Sequence, residues 1–270
     1  MAEKQFTKIS FYVVAHADDW QLFMQPNAYN DLVAPGGKVV FIITTAGDAG
    51  AGETFWFARE EGSKSSIRFC LQPLEALSES VGTREFNKHT INYWTANNAT
   101  CYFLRLPDGN LDGNGFSQNH YQSLSKFRGE EISAITALDN STTYKSWPDF
   151  YTTLQSIIKS ECQGISEIMI NYLNPNTDTN PNDHKDHIAT GQAIQDMTLI
   201  STIKQTLYVG YSVSNNKENL NLTGLFWKSG MFSAYEKAVY DNSGYSTLGE
   251  SVPTYLSWCL SSAEFITADP

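Results

Sequence analysis

Short apolar runs alternate with longer amphipathic stretches along most of the chain. The apolar runs, bounded by turn residues, predict strands over residues 8–14, 38–44, 101–106, 167–172 and 206–211. Apolar residues at helical spacing predict helices over residues 20–33, 53–69, 148–160, 187–200 and 232–240. Strands that alternate with helices are typical of an α/β fold. We therefore expect a Rossmann-like, mostly parallel sheet with helices on both faces.

The chain length of 270 residues suits one α/β domain, which we expect to span residues 1–270. Residues 107–146 are rich in Gly, Asn, Asp and Ser, which predicts a long loop excursion that contains only short elements. Residues 212–270 are expected to form a C-terminal elaboration of the domain. Both regions are candidates for setting specificity.

Two polar clusters each follow a predicted strand and precede a predicted helix. They are Ala15-His16-Ala17-Asp18-Asp19 and His184-Lys185-Asp186-His187. Open α/β sheets place their chemistry at the carboxyl ends of the strands. A catalytic zinc ion takes about three His, Asp or Glu ligands and leaves one position for water. The side chains of His16, Asp19 and His187 meet that count, so the sequence predicts a metal site at the strand ends.

The remaining polar side chains of these clusters suggest a hydrolytic reaction. Adjacent side chains on an extended turn point in different directions, so Asp18 is free to act as a general base toward metal-bound water. A protonated His184 held by Asp186 could stabilise an oxyanion. Taken alone, the first cluster is also compatible with a turn and a helix N-cap, and the second with a solvated helix start. The occurrence of both favours the metal site.

Composition limits the partners that the chain can have. The formal net charge of -11 disfavours nucleic acid and anionic membrane surfaces. No apolar stretch approaches the length of about 18 residues that a membrane span needs. Residues 1–8 lack the features of a secretory signal, which predicts a cytoplasmic protein. The four cysteines (Cys70, Cys101, Cys162 and Cys259) are scattered without a CxxC pair and are expected to be buried thiols.

These motifs resemble those of the PIG-L/LmbE family of zinc-dependent de-N-acetylases. The family motif Ala-His-Pro-Asp-Asp-Glu is matched at four of six positions by residues 15–20, and the motif His-x-Asp-His is matched in full by residues 184–187. Weaker similarities occur at residues 44–50, at Arg59 and at Pro107-Asp108-Gly109. The resemblance covers roughly residues 8–212. Ala17 and Trp20 replace the family Pro and Glu, and Gly62 stands where an acid was expected.

The resemblance implies one zinc ion per chain, bound by His16, Asp19 and His187. It implies that Asp18 is the general base and that His184, with Asp186 as its partner, stabilises the oxyanion. Arg59 and Asp108 would contact the substrate. The glycine-rich turn at residues 44–50 lacks a nucleotide-binding spacing, so its expected role is to line the metal cleft with Asp48 near the substrate.

The resulting expectation is a zinc-dependent hydrolase that removes an N-acetyl or short N-acyl group from an amino sugar or glycoconjugate. One alternative is a non-catalytic carbohydrate-binding protein of the same fold, in which Trp20 stacks on a sugar and obstructs turnover. Another is a metal-dependent amidase that acts on a non-sugar amide. A His₂-Asp site would also accept iron, cobalt or manganese, and the sequence leaves the oligomeric state open.

Overall fold

The computed structural model describes residues 6–199, 203–262 and 264–266. The strands are β1 (Lys8–Val14), β2 (Gly37–Thr45), β3 (Glu79–Phe86), β4 (His89–Ala96), β5 (Ala99–Leu106), β6 (Ile135–Thr136), β7 (Thr143–Tyr144), β8 (Glu167–Leu173), β9 (Lys204–Tyr208) and β10 (Glu264–Ile266). The helices are α1 (Asp19–Phe23), α2 (Asn27–Val33), α3 (Glu53–Leu71), α4 (Leu124–Arg128), α5 (Trp147–Glu161), α6 (Lys185–Gln195), α7 (Leu222–Ser243) and α8 (Leu248–Cys259).

The main sheet has eight strands in the order β10-β9-β8-β1-β2-β5-β4-β3. The five strands from β9 to β5 run parallel, whereas β10, β4 and β3 pair antiparallel at the two edges. This arrangement confirms the expected α/β fold with a mostly parallel sheet. A separate hairpin of β6 and β7 lies within residues 107–146.

Helices cover both faces of this sheet because alternate strand residues point to opposite sides. Tyr12 and Phe41 belong to one hydrophobic core with side chains of α1, α2, α3, α7 and α8. Phe11 and Val40 belong to a second core with side chains of α4, α5 and α6. Strands that are buried on both faces explain the nearly continuous apolar runs in the sequence.

Strand β1 lies at the point where the strand order reverses. Chain connections lead from β1 to β2 and β5 on one side, whereas β8 and β9 extend the sheet on the other side. Ligands of open α/β folds bind in the crevice outside the carboxyl ends of the strands at such a point. The segments that follow β1 and β8 contain the two polar clusters and are neighbours there.

Several predicted boundaries were wrong. The helix predicted over residues 20–33 is divided into α1 and α2 at Pro26, which has no N–H to donate within a helix. The β3–β4 hairpin and α8 were not predicted, and α7 is much longer than residues 232–240. The strand expected over residues 206–211 ends at Tyr208, and a 3₁₀ turn begins at Tyr211. The last residue of the helix expected over residues 187–200 lies outside the described residues.

The four cysteines are free thiols, as expected, although Cys162 is partly exposed and the other three are buried. Residues 107–146 do contain short elements, namely α4 and the β6–β7 hairpin. Within the described residues, no helix combines the length and apolar character that crossing a membrane requires.

Candidate metal centre

The turn after β1 is stabilised by the carboxylate of Asp19. Asp19 Oδ2 accepts the backbone N–H groups of Ala15 at 3.0 Å and His16 at 2.8 Å. Asp19 Oδ1 faces the histidines instead. Asp18 occupies the N-cap position of α1, but its side chain makes no capping hydrogen bond. Capping alone therefore does not account for the paired carboxylates.

Three potential ligand atoms lie close together in this turn and at the start of α6. His16 Nδ1 is 3.1 Å from His187 Nε2, which is 3.1 Å from Asp19 Oδ1, and His16 Nδ1 lies 3.6 Å from Asp19 Oδ1. Tetrahedral zinc with bonds of 2.0–2.1 Å places neighbouring ligand atoms about 3.3–3.5 Å apart. All three residues are buried. The trio therefore fits a tetrahedral metal ion with little rearrangement.

Each histidine of the trio has a carboxylate beside its other ring nitrogen. His187 Nδ1 lies 2.9 Å from Asp183 Oδ1, and His16 Nε2 lies 3.4 Å from Asp186 Oδ2. A proton on each of these nitrogens leaves the lone pairs of His16 Nδ1 and His187 Nε2 directed at the common point. Asp186 Oδ2 lies 3.4 Å from His16 Nε2 and 3.8 Å from His184 Nδ1, so the carboxylate is close to both rings.

Asp183 is a site residue that the sequence interpretation missed. Besides His187, its carboxylate accepts the side-chain amide of Asn180 at 2.7 Å and the backbone N–H of Tyr211 at 3.1 Å. A Cβ atom at Gly210 would lie 2.3 Å from Asp183, so only glycine leaves room for the carboxylate there. Asp183 precedes the His184 N-cap of α6, so helical spacing does not mark it, and its contact with His187 depends on the course of the loop before the helix.

A second, wider group of side chains shares His16. It consists of His16, Asp108, His184 and Asp186, and all four are buried. The distances from His16 Nε2 are 3.4 Å to Asp186 and 3.9 Å to Asp108, and His184 lies 3.8 Å from each of these two acids. Apart from the 3.4 Å between His16 and Asp186, these separations exceed those of a tetrahedral zinc site. The group suits hydrogen bonding better, and Asp186 Oδ2 also accepts the Gly109 N–H at 2.8 Å.

Charge interactions distinguish the three histidines. Burial lowers the pKa of His16, but Asp19, Asp186 and Asp108 outweigh this effect and raise the pKa to about 10. Burial likewise lowers the pKa of His187, yet Asp183 and Asp19 hold it well above its ordinary value. Without a metal, the trio therefore binds protons that a metal ion must displace.

His184 differs from the protonated oxyanion donor that the sequence suggested. Burial and the neighbouring His16 lower the pKa of His184 to about 4, so the ring is neutral at pH 7. Its Nδ1 accepts the backbone N–H of Asp186 at 3.1 Å. The proton of the neutral ring therefore resides on Nε2, which remains able to donate.

Arg59 is the direct partner of Asp18. Its guanidinium donates to Asp18 Oδ1 at 2.5 Å, to the Gly47 carbonyl at 2.5 Å and to the Tyr235 hydroxyl at 2.8 Å. Gly47 has a φ of +58°, and a Cβ there would lie 2.4 Å from Arg59 Nη1. Gly62 gives Tyr235 the space to approach, because a Cβ at position 62 would lie 2.5 Å from the Tyr235 ring. Arg59 therefore orients Asp18.

A cavity of about 110 Å³ opens onto these groups. Its lining residues are His16, Asp18, Asp19, Leu22, Phe23, Arg59, Asp108, His184, Tyr211, Tyr255 and Trp258. At about 30 Å³ for each water molecule, this volume corresponds to roughly three or four waters. An acetamido group is of that size, whereas a whole sugar ring is larger.

Comparison with known proteins gives no family assignment. No protein-family model and no curated protein matches the chain.

Two residues expected near the substrate do not line this cavity. Trp20 is fully buried, donates its indole N–H to Ser63 Oγ at 2.9 Å and packs against Phe41. The prediction that Trp20 stacks on a ligand is therefore wrong. Asp48 is buried and accepts the Asp108 N–H at 3.0 Å and the side-chain amide of Asn119 at 2.7 Å. Its observed contacts support the loop that contains Asp108.

An aromatic wall completes the cavity and was not anticipated. Tyr211 stacks on Trp258 with ring centroids 4.6 Å apart, and Tyr255 lies one helical turn before Trp258. Two of these three residues come from α8, in the region whose role the sequence left open. Aromatic residues are too common in protein cores for their spacing in the sequence to identify this wall.

Proposed function

We propose that the chain is a metal-dependent hydrolase that removes an N-acetyl or short N-acyl group from an amino sugar or glycoconjugate. The spacing of His16 Nδ1, Asp19 Oδ1 and His187 Nε2 is the main support, because it fits a tetrahedral metal ion. Asp18 and His184 line the same cavity. The amino sugar rests on the resemblance of residues 15–20 and 184–187 to de-N-acetylase motifs.

Zinc held by the trio would supply Lewis acidity, which lowers the pKa of water toward about 7 and polarises an amide carbonyl. Asp18 accepts the proton released when water attacks the carbonyl carbon, and Arg59 fixes the orientation of its carboxylate. His184 Nε2–H donates to the oxygen that gains negative charge. The C–N bond then breaks, and Asp18 returns its proton to the leaving nitrogen.

The cavity favours a small acyl group. Its volume of about 110 Å³ accommodates an acetamido group, so the sugar of a bound substrate would lie at the mouth of the cavity. Asp108 lies in the cavity lining and is available to accept a substrate hydroxyl or amide N–H.

The carbohydrate-binding alternative loses its motivating observation, because Trp20 lies in the core rather than at the cleft. An amidase that acts on a non-sugar substrate would use the same groups. The amino-sugar deacetylase and the non-sugar amidase would differ only in the part of the substrate that lies outside the cavity.

Amine release from a panel of amides tests the proposal. Zinc-loaded protein should release amine from N-acetylglucosamine or its conjugates, and Asp18→Asn should bind zinc without releasing amine. Release only from N-acetylated peptides or other non-sugar amides would overturn the amino-sugar assignment. Equal rates in wild type and Asp18→Asn would overturn the mechanism.

A further inference from the structure

Helix α8 forms one wall of the metal cleft. Tyr255 and Trp258 of this helix line the cavity together with the metal-binding and catalytic candidates. The Trp258 indole N–H donates to the Tyr211 carbonyl at 3.2 Å, and the indole ring also contacts Phe23. The position of α8 therefore determines how much space remains beside the metal trio.

A buried lysine of α7 holds the carboxyl end of α8. Lys228 Nζ donates to the carbonyl oxygens of Trp258 and Ser261 at 2.7 Å each, and Lys228 is fully buried. The last carbonyls of a helix lack partners within the helix and carry partial negative charge, which favours a cation. Burial lowers the pKa of Lys228 to about 8, so the side chain still carries its charge at pH 7.

A buried glutamate of α7 holds the other end of α8. Glu236 Oε2 accepts the Ser246 hydroxyl at 2.9 Å and the Leu248 backbone N–H at 3.3 Å, and Oε1 accepts the Thr247 hydroxyl. The backbone of α8 is not helical at Ser251, so Glu236 binds the turn that leads into the part of α8 carrying Tyr255 and Trp258. The two buried charged side chains of α7 therefore contact the two ends of the α8 segment.

Lys228 and Glu236 are ionisable side chains that are buried in the fold. Burying a charge is unfavourable unless hydrogen bonds compensate for lost hydration. Among the described residues, the hydrogen-bond partners of Lys228 and Glu236 are uncharged groups of residues 246–261. Simple anchoring of α7 in the core would need only apolar side chains. Both side chains instead place their hydrogen bonds on residues 246–248 and on Trp258 and Ser261, at the two ends of α8.

We propose that α8 is a cap whose Tyr255 and Trp258 limit the size of the acyl group at the metal centre, with Lys228 and Glu236 as the residues that position the cap. The inference rests on the proposed hydrolase function. It assigns to the C-terminal region the selection of acetyl over longer acyl groups.

Hydrogen exchange tests how the cap is held, independently of any activity. At pH 7, Lys228→Met should accelerate exchange of the backbone amides of residues 252–260 at least tenfold and leave α6 unchanged. Lys237→Met is the matched control, because Lys237 lies on the same helix, is exposed and pairs with Asp241. Unchanged exchange in Lys228→Met would overturn the positioning role. Glu236→Gln should accelerate exchange around residues 246–250.

Acyl selectivity tests what the cap does. The ratio of kcat/KM for N-butyrylglucosamine to that for N-acetylglucosamine should rise at least tenfold in Trp258→Ala, which removes the indole but keeps the carbonyl that Lys228 binds. Trp258→Phe should give a smaller rise, and Lys237→Met none. An unchanged ratio in Trp258→Ala would overturn the size limit. Absence of amine release from both sugars, in wild type and variants alike, would overturn the proposed function. The hydrogen-exchange experiment would still decide whether Lys228 holds α8.

Discussion

Substitution of Asp183 by Asn isolates the contribution of one carboxylate to metal binding. Asp183 Oδ1 lies 2.9 Å from His187 Nδ1, and both side chains are buried. Loss of such an outer partner of a histidine ligand weakens metal affinity by about 10–100-fold. We expect the zinc dissociation constant of Asp183→Asn to rise by that factor, which corresponds to about 1.4–2.7 kcal/mol.

The hydrogen bonds around Asp183 explain why an isosteric amide should not substitute for it. The carboxylate accepts from His187 on one oxygen and from Asn180 Nδ2 at 2.7 Å on the other. An asparagine must direct its NH₂ group at one of these two donors. Rotation of the Asn180 amide would relieve the conflict, but Asn180 Oδ1 already accepts the Gly210 N–H at 3.0 Å and the Ser212 hydroxyl at 3.2 Å. One hydrogen bond is therefore lost in every arrangement.

Competition with a chromophoric zinc chelator at pH 7.5 measures the effect. Asp178→Asn is the control, because Asp178 is exposed in the same loop and the substitution changes charge equally. Circular dichroism establishes that both variants are folded. A dissociation constant of Asp183→Asn within about twofold of the wild-type value would refute the argument that Asp183 orients His187.

Four further outcomes follow from the site. Asp18→Asn should keep wild-type zinc content and lose about 10²–10⁴ in kcat, as measured by amine release; an unchanged kcat would remove Asp18 from the reaction. His187→Ala should abolish stoichiometric zinc by elemental analysis, since it deletes one of three ligands, and full zinc content would exclude His187 as a ligand. The raised pKa of His16, about 10, means that zinc displaces a proton at neutral pH. Zinc affinity should therefore rise about tenfold per pH unit between pH 6 and 8 for each proton displaced, and isothermal titrations showing no pH dependence would contradict this. Arg59→Met leaves the buried Asp18 carboxylate without its cation and should lower the free energy of unfolding by about 3–5 kcal/mol. A urea titration that shows a loss below about 1 kcal/mol would contradict the pairing of Arg59 with Asp18.

The parallel centre of the sheet was predictable because its strands are buried on both faces and consist of nearly continuous apolar runs. The antiparallel edge formed by β3 and β4 was not predictable in this way. Seven of the eight residues of β3 are exposed, so no apolar run marks that strand. Helix α7 carries exposed apolar residues such as Leu222 and Phe226, which obscure its periodicity.

The proposed metal ligands could be identified from the sequence because they lie in two short motifs at strand ends. The contacts of the residues around these ligands could not be predicted from the sequence. The Asp186 carboxylate lies near His16 as well as His184 because of how α6 packs beside the turn after β1, and this depends on tertiary structure. Trp20 was expected at the cleft, but the short helix α1 turns its side chain into the core against Phe41. Two of the three residues of the aromatic wall, Tyr255 and Trp258, come from α8, which is distant in sequence from both motifs.

Metal analysis combined with amine release tests the central claim most directly. Purified protein should contain one zinc ion per chain and release amine from N-acetylglucosamine or a conjugate of it. Chelation should abolish that release, and added zinc should restore it. Protein that binds no divalent transition metal, or that releases amine equally well after complete chelation, would contradict the account.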